Sequence, residues 1–441
     1  MEHDGALDWF VQDRFGLFMH WGLYSLPARG GAVTAEWVQH NERLTDADYR
    51  RYFDHFDPDL YDPRAWADAA RRAGMRYAVL TTKHHDGFCL WDSALTDFTA
   101  PHTPAGRDLV RPWVEAFREA GLKVGFYHSL IDWHYPDFPV DGLHPRRDDL
   151  AFRTQESGRD MAAYRAYLHG QVRELLTDYG PIDLLWFDFS YPEMDWGWAR
   201  GKGKDDWDAA GLVALARELQ PGILINNRAE VGADFHTPEQ YQPRGWFEVD
   251  GRRVTWEACQ TLNGSWGYDR DNEDWKSPDL LARLLIDTVS KGGNLLLNVG
   301  PTARGEFDPR AMAALAVLGA WTQLHGRAIY GATESASAPP PDCRFTQRGD
   351  RLYLHIFAWP LRHVFLDGLA GRVSYAQFLH DGSEVRFTEG QQDGSHMTPQ
   401  GLGAGTLTLD LPSRRPDVLV PVVELFLVEG AHRVEMAAST L

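Results

Sequence analysis

Ile182-Asp-Leu-Leu-Trp-Phe-Asp188 is an apolar run of strand length that ends in a carboxylate. Strand alternation puts Trp186 and Asp188 on one side, an aromatic face beside an acid. A buried carboxylate there must be paired, hydrogen-bonded or protonated, because an isolated buried charge costs several kcal/mol. Outward from this segment the same design recurs. Strands are expected over residues 15–20, 77–82, 123–128, 182–188, 222–228, 255–262 and 294–300, with amphipathic helices over 63–74, 108–121, 159–179, 207–219 and 278–291. Asp62 before Pro63 and Ser277 before Pro278 are helix starts, and glycines at 74, 121 and 292 are stops. At least six such β-α passages favour a (β/α)8-like barrel over an open sheet.

The strand ends carry the chemistry. Apolar runs give way to His20, to His84 and His85, to Tyr127 and His128, to Asp188, to Asn226 and Arg228, to Glu257 and to Asn298. In a barrel of this kind all these ends open on one face, where active sites are assembled. Glycoside hydrolysis usually needs two carboxylates that flank a sugar. The partner for Asp188 is Glu239, in Asp234-Phe-His-Thr-Pro-Glu239, or Glu257, in Thr255-Trp-Glu257. Glu239 follows a proline in a loop and suits a proton donor that approaches from outside the barrel, whereas Glu257 sits within a strand and more plausibly orients neighbours. Trp21, Trp37, Trp91, Trp186 and Trp266 supply flat apolar faces for a sugar ring. One rival reading is a metal-dependent barrel hydrolase built on His20, His84, His85 and Asp188. Against it, adjacent histidines point opposite ways along a strand and can converge only if the backbone bends at its end, and neither a His-x-His nor a cysteine pair supports it. A second rival is a non-catalytic sugar-binding protein on the same barrel.

The chain has 441 residues and a formal charge of −19, the wrong sign for generic binding to nucleic acid or anionic membrane. Cys89, Cys259 and Cys343 lie far apart, which suggests no disulfide framework and a reducing compartment. No secretory leader is read at the N-terminus, and a cytoplasmic location is expected. The barrel is expected over 1–333, a proline-rich linker over 334–342, and a small C-terminal antiparallel β-sandwich over 343–430, followed by a tail over 431–441. Within the sandwich, strands are expected over 351–358, 373–379, 406–411 and 422–427, with a polar, glycine-rich loop over 390–405.

From about residue 9 to residue 330 the chain resembles the family 29 glycoside hydrolases, the retaining α-L-fucosidases. The resemblance rests on Phe15-Gly-Leu-Phe-Met-His-Trp-Gly22, Glu36-Trp37, Lys83-His-His-Asp-Gly-Phe88, Gly125-Phe-Tyr-His-Ser129 with Asp132-Trp133, and Leu185-Trp-Phe-Asp188. It continues through Asn226-Asn-Arg228, Thr255-Trp-Glu257, Ser265-Trp-Gly-Tyr268 and Gly292-Gly-Asn-Leu-Leu-Leu-Asn-Val-Gly-Pro301. The resemblance implies an exo-acting fucosidase with Asp188 as nucleophile and Glu239 as acid/base. It implies that His20, Glu36, Trp37, His84, His85 and Arg228 contact the fucose, with His128 as a further candidate, and that Trp186 lines the pocket for the fucose methyl. No metal or other cofactor is implied, the substrate is a fucosylated oligosaccharide or glycoside, and assembly leans toward a homo-oligomer. Asn227 stands where many relatives have Asp before the arginine, which puts the charge pairing of Arg228 in question.

Overall fold

A computed structural model describes residues 5–30, 34–390, 396, 399 and 402–428. The expected apolar runs become parallel strands β1 (Phe15–Met19), β2 (Tyr77–Lys83), β3 (Lys123–Ser129), β4 (Leu184–Asp188) and β5 (Leu224–Ile225). After a small antiparallel hairpin, β6 (Glu248–Val249) and β7 (Arg252–Arg253), come β8 (Glu257–Thr261) and β9 (Asn294–Val299). The parallel sheet has the order β5-β4-β3-β2-β1-β9-β8. Its edges β5 and β8 are joined by residues 234–240, an irregular eighth stave. Asp234 N donates to Ile225 O (2.8 Å) on one side, while on the other Glu257 N donates to His236 O (2.8 Å) and Gln240 N to Cys259 O (3.1 Å). Pro238 has no N–H to give, which is why this stave does not form a regular strand. Glu239, expected on a free loop, is therefore held in the barrel wall through a bridge to Cys259.

Strand alternation sorts the side chains into two cores. Phe18, Tyr77, Val79, Tyr127, Trp186, Cys259 and Leu296 fill the barrel interior. Leu17, Leu80, Phe126, Leu185, Phe187 and Leu297 face outward and pack under the helices. These include Pro63–Arg72, Val110–Glu119, Met161–Asp178, Ala209–Leu219 and Pro278–Val289. The Asp62 carboxylate accepts from Arg64 N and Ala65 N, and the Ser277 hydroxyl from Leu280 N, so both helix-start signals act as caps. The helix Pro309–His325 went unforeseen. Its alanines and leucines are spread around the axis without one apolar stripe, because it is covered on one side by the barrel and on another by the C-terminal domain.

That domain is a sandwich of two antiparallel sheets. Its strands are β10 (Cys343–Arg348), β11 (Arg351–Ile356), β12 (His363–Asp367), β13 (Val373–Phe378), β14 (Arg386–Glu389), β15 (Thr406–Asp410) and β16 (Val422–Leu427). The sheets have the orders β10-β11-β16-β13 and β12-β15-β14, and Leu354, Leu366, Leu407 and Leu425 meet between them. The first sheet docks on the barrel's helices: Trp321 Nε1 donates to Val420 O (2.9 Å) and Arg344 pairs with Asp287 (2.7 Å). Most of the loop expected over 390–405, and the whole tail over 431–441, lie outside the described residues.

Candidate active site

Asp188 closes β4 at the mouth of the barrel. Its Oδ1 accepts from Arg228 Nη1 (2.9 Å) and its Oδ2 from the Tyr127 hydroxyl (2.8 Å), with His85 Nε2 3.9 Å away. Arg228 stands in a one-turn helix, Asn227–Ala229, that cuts β5 short of its expected length. Its other nitrogen donates to Glu239 Oε2 (2.7 Å), so one guanidinium carries both acids. The fork is held from below and from the side. Arg228 lies over the Trp186 ring at 4.7 Å and its Nε donates to Thr237 Oγ1 (3.0 Å). Asn227 Oδ1 accepts both the N–H and the hydroxyl of Thr237 (3.0 Å each). The neutral residue at 227 thus braces the threonine that braces the arginine, and the charge balance of Arg228 comes from the two carboxylates. Burial raises the Asp188 pKa, and the Arg228 charge opposes that rise. Burial alone would lower Arg228, but the Asp188 and Glu239 carboxylates override it and keep it cationic.

Opposite this fork stand three imidazoles. His20 Nδ1 meets Asn298 Oδ1 at 2.7 Å, and the Asn298 amide donates to Trp266 O (2.7 Å). That orientation makes Asn298 Oδ1 the acceptor, so His20 carries its proton on Nδ1 and keeps Nε2 as a lone pair. His85 Nδ1 meets Ser129 Oγ (2.7 Å), whose own proton goes to Ile131 O (2.7 Å). His85 Nε2 is by the same logic a free acceptor beside Asp188. His84 Nδ1 is buried without a protein partner. Adjacent rings converge only where the backbone bends at a strand's end, and here their centroids are 4.0 Å apart. β2 ends at Lys83 and the chain turns there, so strand parity no longer governs them. Burial pushes His20 down to about 3, and His84 and His85 well below the ordinary histidine range. Neutral imidazoles with free lone pairs accept hydroxyl protons from a sugar. Among the described residues no three His, Cys, Asp or Glu side chains converge on a point that could hold a metal ion.

Trp37 forms the rim, with its ring 5.1 Å from His85 and 5.2 Å from Phe189. Glu36 is buried; its Oε2 accepts from Gly267 N (2.8 Å) and its Oε1 from the Thr34 hydroxyl, and burial raises its pKa to about 7. A Cβ on Gly267 would come within 3.1 Å of Glu36 N and 2.9 Å of the Tyr24 ring, so only glycine fits that approach.

Two sequence assignments change. His128 points away from the mouth: it lies on the outer face of β3, beside Thr82 Oγ1 (3.3 Å) and the Trp91 ring (5.9 Å). The residue that faces inward is Tyr127, paired in register with Trp186. Trp186 is 2% exposed, stacked on Tyr127 and covered by Arg228, so it is the floor beneath the guanidinium and not an open wall. Glu257 is fully buried one layer lower, bonded by the Tyr77 hydroxyl and by Trp186 Nε1 (3.3 Å). Burial raises its pKa to about 8. It props up the floor, in line with the orienting role read for it, and has no path to a substrate oxygen. Tyr127 stands among the strand-end residues of the sequence but carries no assigned role there, and Phe189, which the sequence does not single out, has a φ of +80° and turns the chain sharply after Asp188.

The sequence matches the family model described as Alpha-L-fucosidase over residues 2–327. A solved structure of alpha-L-fucosidase isoenzyme 1 from Paenibacillus thiaminolyticus is 46% identical, with 96% of this chain and 98% of that chain covered and a TM-score of 0.88. The tissue alpha-L-fucosidase of Bos taurus is 29% identical over 370 residues, 80% of this chain and 75% of its own length. An alpha-L-fucosidase from Bacteroides thetaiotaomicron, solved as a trapped covalent intermediate with 2-fluoro-fucosyl fluoride, is 25% identical with a TM-score of 0.81, covering 96% of each chain. A parallel barrel with a C-terminal β domain, a mouth that pairs two acids on one arginine, and these matches agree: the chain belongs to the alpha-L-fucosidase family of glycoside hydrolases.

Proposed function

We propose that this α-L-fucosidase removes terminal α-L-fucosyl residues from fucosylated glycans or glycosides by double displacement, with Asp188 as nucleophile and Glu239 as acid/base. The observation that carries the reading is the shared guanidinium: Arg228 holds Asp188 at 2.9 Å and Glu239 at 2.7 Å, facing three neutral histidines. Carboxylates kept on one small group suit the separation of roughly 5–5.5 Å used for retention better than the roughly 6.5–9.5 Å used for inversion. In the first step an Asp188 oxygen bonds to the anomeric carbon while the bond to the leaving oxygen breaks. Protonated Glu239 gives its proton to that oxygen, and a fucosyl ester of Asp188 results. In the second step Glu239 takes a proton from water, the water oxygen bonds to the anomeric carbon, and Asp188 leaves as carboxylate. Esterification removes the Asp188 charge as Glu239 becomes anionic, so Arg228 faces one negative charge before and after the transfer. His20, His84, His85 and Glu36 hold the sugar hydroxyls.

The test is Asp188→Gly assayed on an aryl α-L-fucoside, then with added azide or formate. Collapse of activity with rescue by the small anion supports the assignment, and activity close to the parent's overturns it. Glu239→Ala should be crippled on poor leaving groups and mildly affected on activated ones; that pattern at Glu257 instead would reverse the choice. The three free, buried cysteines support a reducing, cytoplasmic setting, which cell fractionation checks. The homo-oligomer that the resemblance leans toward is checked by light scattering.

A further inference from the structure

A recess of ≈ 340 Å³ opens beside Asp188, between the chain that leaves β4 and the one that leaves β5. Phe189, Tyr191 and Met194 line one side, and Asn227, Arg228 and Glu230 the other. Its place is informative. Arg228, part of its wall, carries Glu239 on Nη2, so the recess begins one guanidinium away from the acid that protonates the leaving oxygen. Its chemistry is divided in the same way as a pyranose ring. The aromatic and thioether side offers an apolar surface for ring C–H groups. On the polar side, Glu230 uses Oε2 to accept from Lys204 N (2.7 Å), and Asn227 uses its carbonyl oxygen for Thr237. The volume falls near the lower end of the ~300–1,000 Å³ typical of small-molecule pockets.

The apolar wall is built in advance. Asp141 and Lys202, 1% and 6% exposed, form a buried ion pair, and the Tyr191 hydroxyl donates to the same Asp141 oxygen at 2.7 Å. Tyr191 N donates to Lys202 O (2.7 Å) and Gly201 N to Met194 O (2.6 Å), folding residues 191–202 back on themselves. A Cβ on Gly201 would come within 1.8 Å of Tyr191 O, so the fold-back tolerates only glycine there. A buried pair of this kind contributes little net stability; here it ties residue 141 to residue 202 and, through the Tyr191 hydroxyl, to the wall of the recess. Met194 at the rim is nonetheless 44% exposed, an apolar residue open to solvent beside the recess.

We infer that this recess is the subsite for the leaving group's first sugar, a hexopyranose whose ring lies against Phe189, Tyr191 and Met194 with its hydroxyls toward Asn227 and Glu230. The inference rests on the fucosidase reading and adds to it the place where linkage and aglycone are selected. Residues 133–147 and 191–208, which link β3 and β4 to the rest of the barrel, act on that selection together because Asp141 joins them.

The test compares kcat/KM for fucosylated disaccharides of defined linkage with kcat/KM for α-L-fucosyl fluoride, whose one-atom leaving group cannot fill the recess. The variants are Met194→Ala, at an exposed site, and Glu230→Gln, which preserves shape. The disaccharide-to-fluoride ratio should fall about 10-fold or more in Met194→Ala, chiefly through KM, and in Glu230→Gln for the linkage the parent prefers. A ratio within about two-fold of the parent's in both variants overturns the inference while leaving the fucosidase reading intact. A parent that turns over neither substrate overturns both.

Discussion

Tyr127→Phe removes one oxygen from the site and leaves a well-filled space, because the ring is stacked on Trp186 at 5.7 Å and on His84 at 5.6 Å. The lost oxygen donates to Asp188 Oδ2 at 2.8 Å, one of two side-chain donors to this carboxylate among the described residues, the other being Arg228 at 2.9 Å. Hydrogen bonds to a charged group contribute about 1.5–3 kcal/mol. The hydroxyl stabilises the ionised form of a carboxyl that burial already pushes up. Without it the proton binds more tightly, and a larger share of the enzyme has a protonated, non-nucleophilic Asp188 at mildly acidic pH. At about 1.4 kcal/mol per tenfold change, the acid limb of kcat/KM should move to higher pH by roughly one to two pH units. On the plateau the loss should be smaller, since Arg228 still orients the acid. The assay is the pH dependence of kcat/KM on an aryl α-L-fucoside, parent beside variant, with the alkaline limb as internal control. An acid limb that stays in place while the variant folds normally refutes the claim that Tyr127 tunes Asp188.

Arg228→Lys keeps the charge but loses the fork that holds Asp188 and Glu239 together, and kcat/KM should drop by about 10²-fold or more in steady-state assays. Glu257→Gln should flatten the pH dependence of stability. The folded Glu257 pKa of about 8 lies above its ordinary 4.5, so the native state holds the extra proton and this stability is lost as pH rises toward 8. Melting temperature should therefore fall more steeply in the parent than in the variant between about pH 5 and about pH 8. Exhaustive chelation followed by assay should leave activity near the untreated level, whereas a loss restored by one divalent metal would revive the metallohydrolase reading. His84→Ala, which removes a buried imidazole whose Nδ1 has no protein partner, should raise KM for the fucoside more than it lowers kcat.

The local signals in the sequence were sound wherever one face of an element decides its place. Asp62 and Ser277 cap their helices, the strands carry His20, His84, His85, Asp188 and Arg228 to one mouth, and Asp188 closes its strand at the end of an apolar run. Tertiary structure decided the rest, for identifiable reasons. Barrel strands are apolar on both faces, inward toward Phe18 and Trp186 and outward toward the helices, so alternation could not tell that Tyr127 rather than His128 looks at Asp188. The meeting of His84 and His85 depends on β2 ending one residue before them. The pairing of Asp188 with Glu239 across Arg228 depends on residues 234–240 closing the gap between two sheet edges far apart in sequence, and the wall of the recess depends on Asp141 reaching Lys202 across 61 positions. Periodicity and capping are properties of a few neighbouring residues and can be read in order along the chain. Which acids share one cation, and which side of a doubly buried strand faces the substrate, are settled only when distant segments pack.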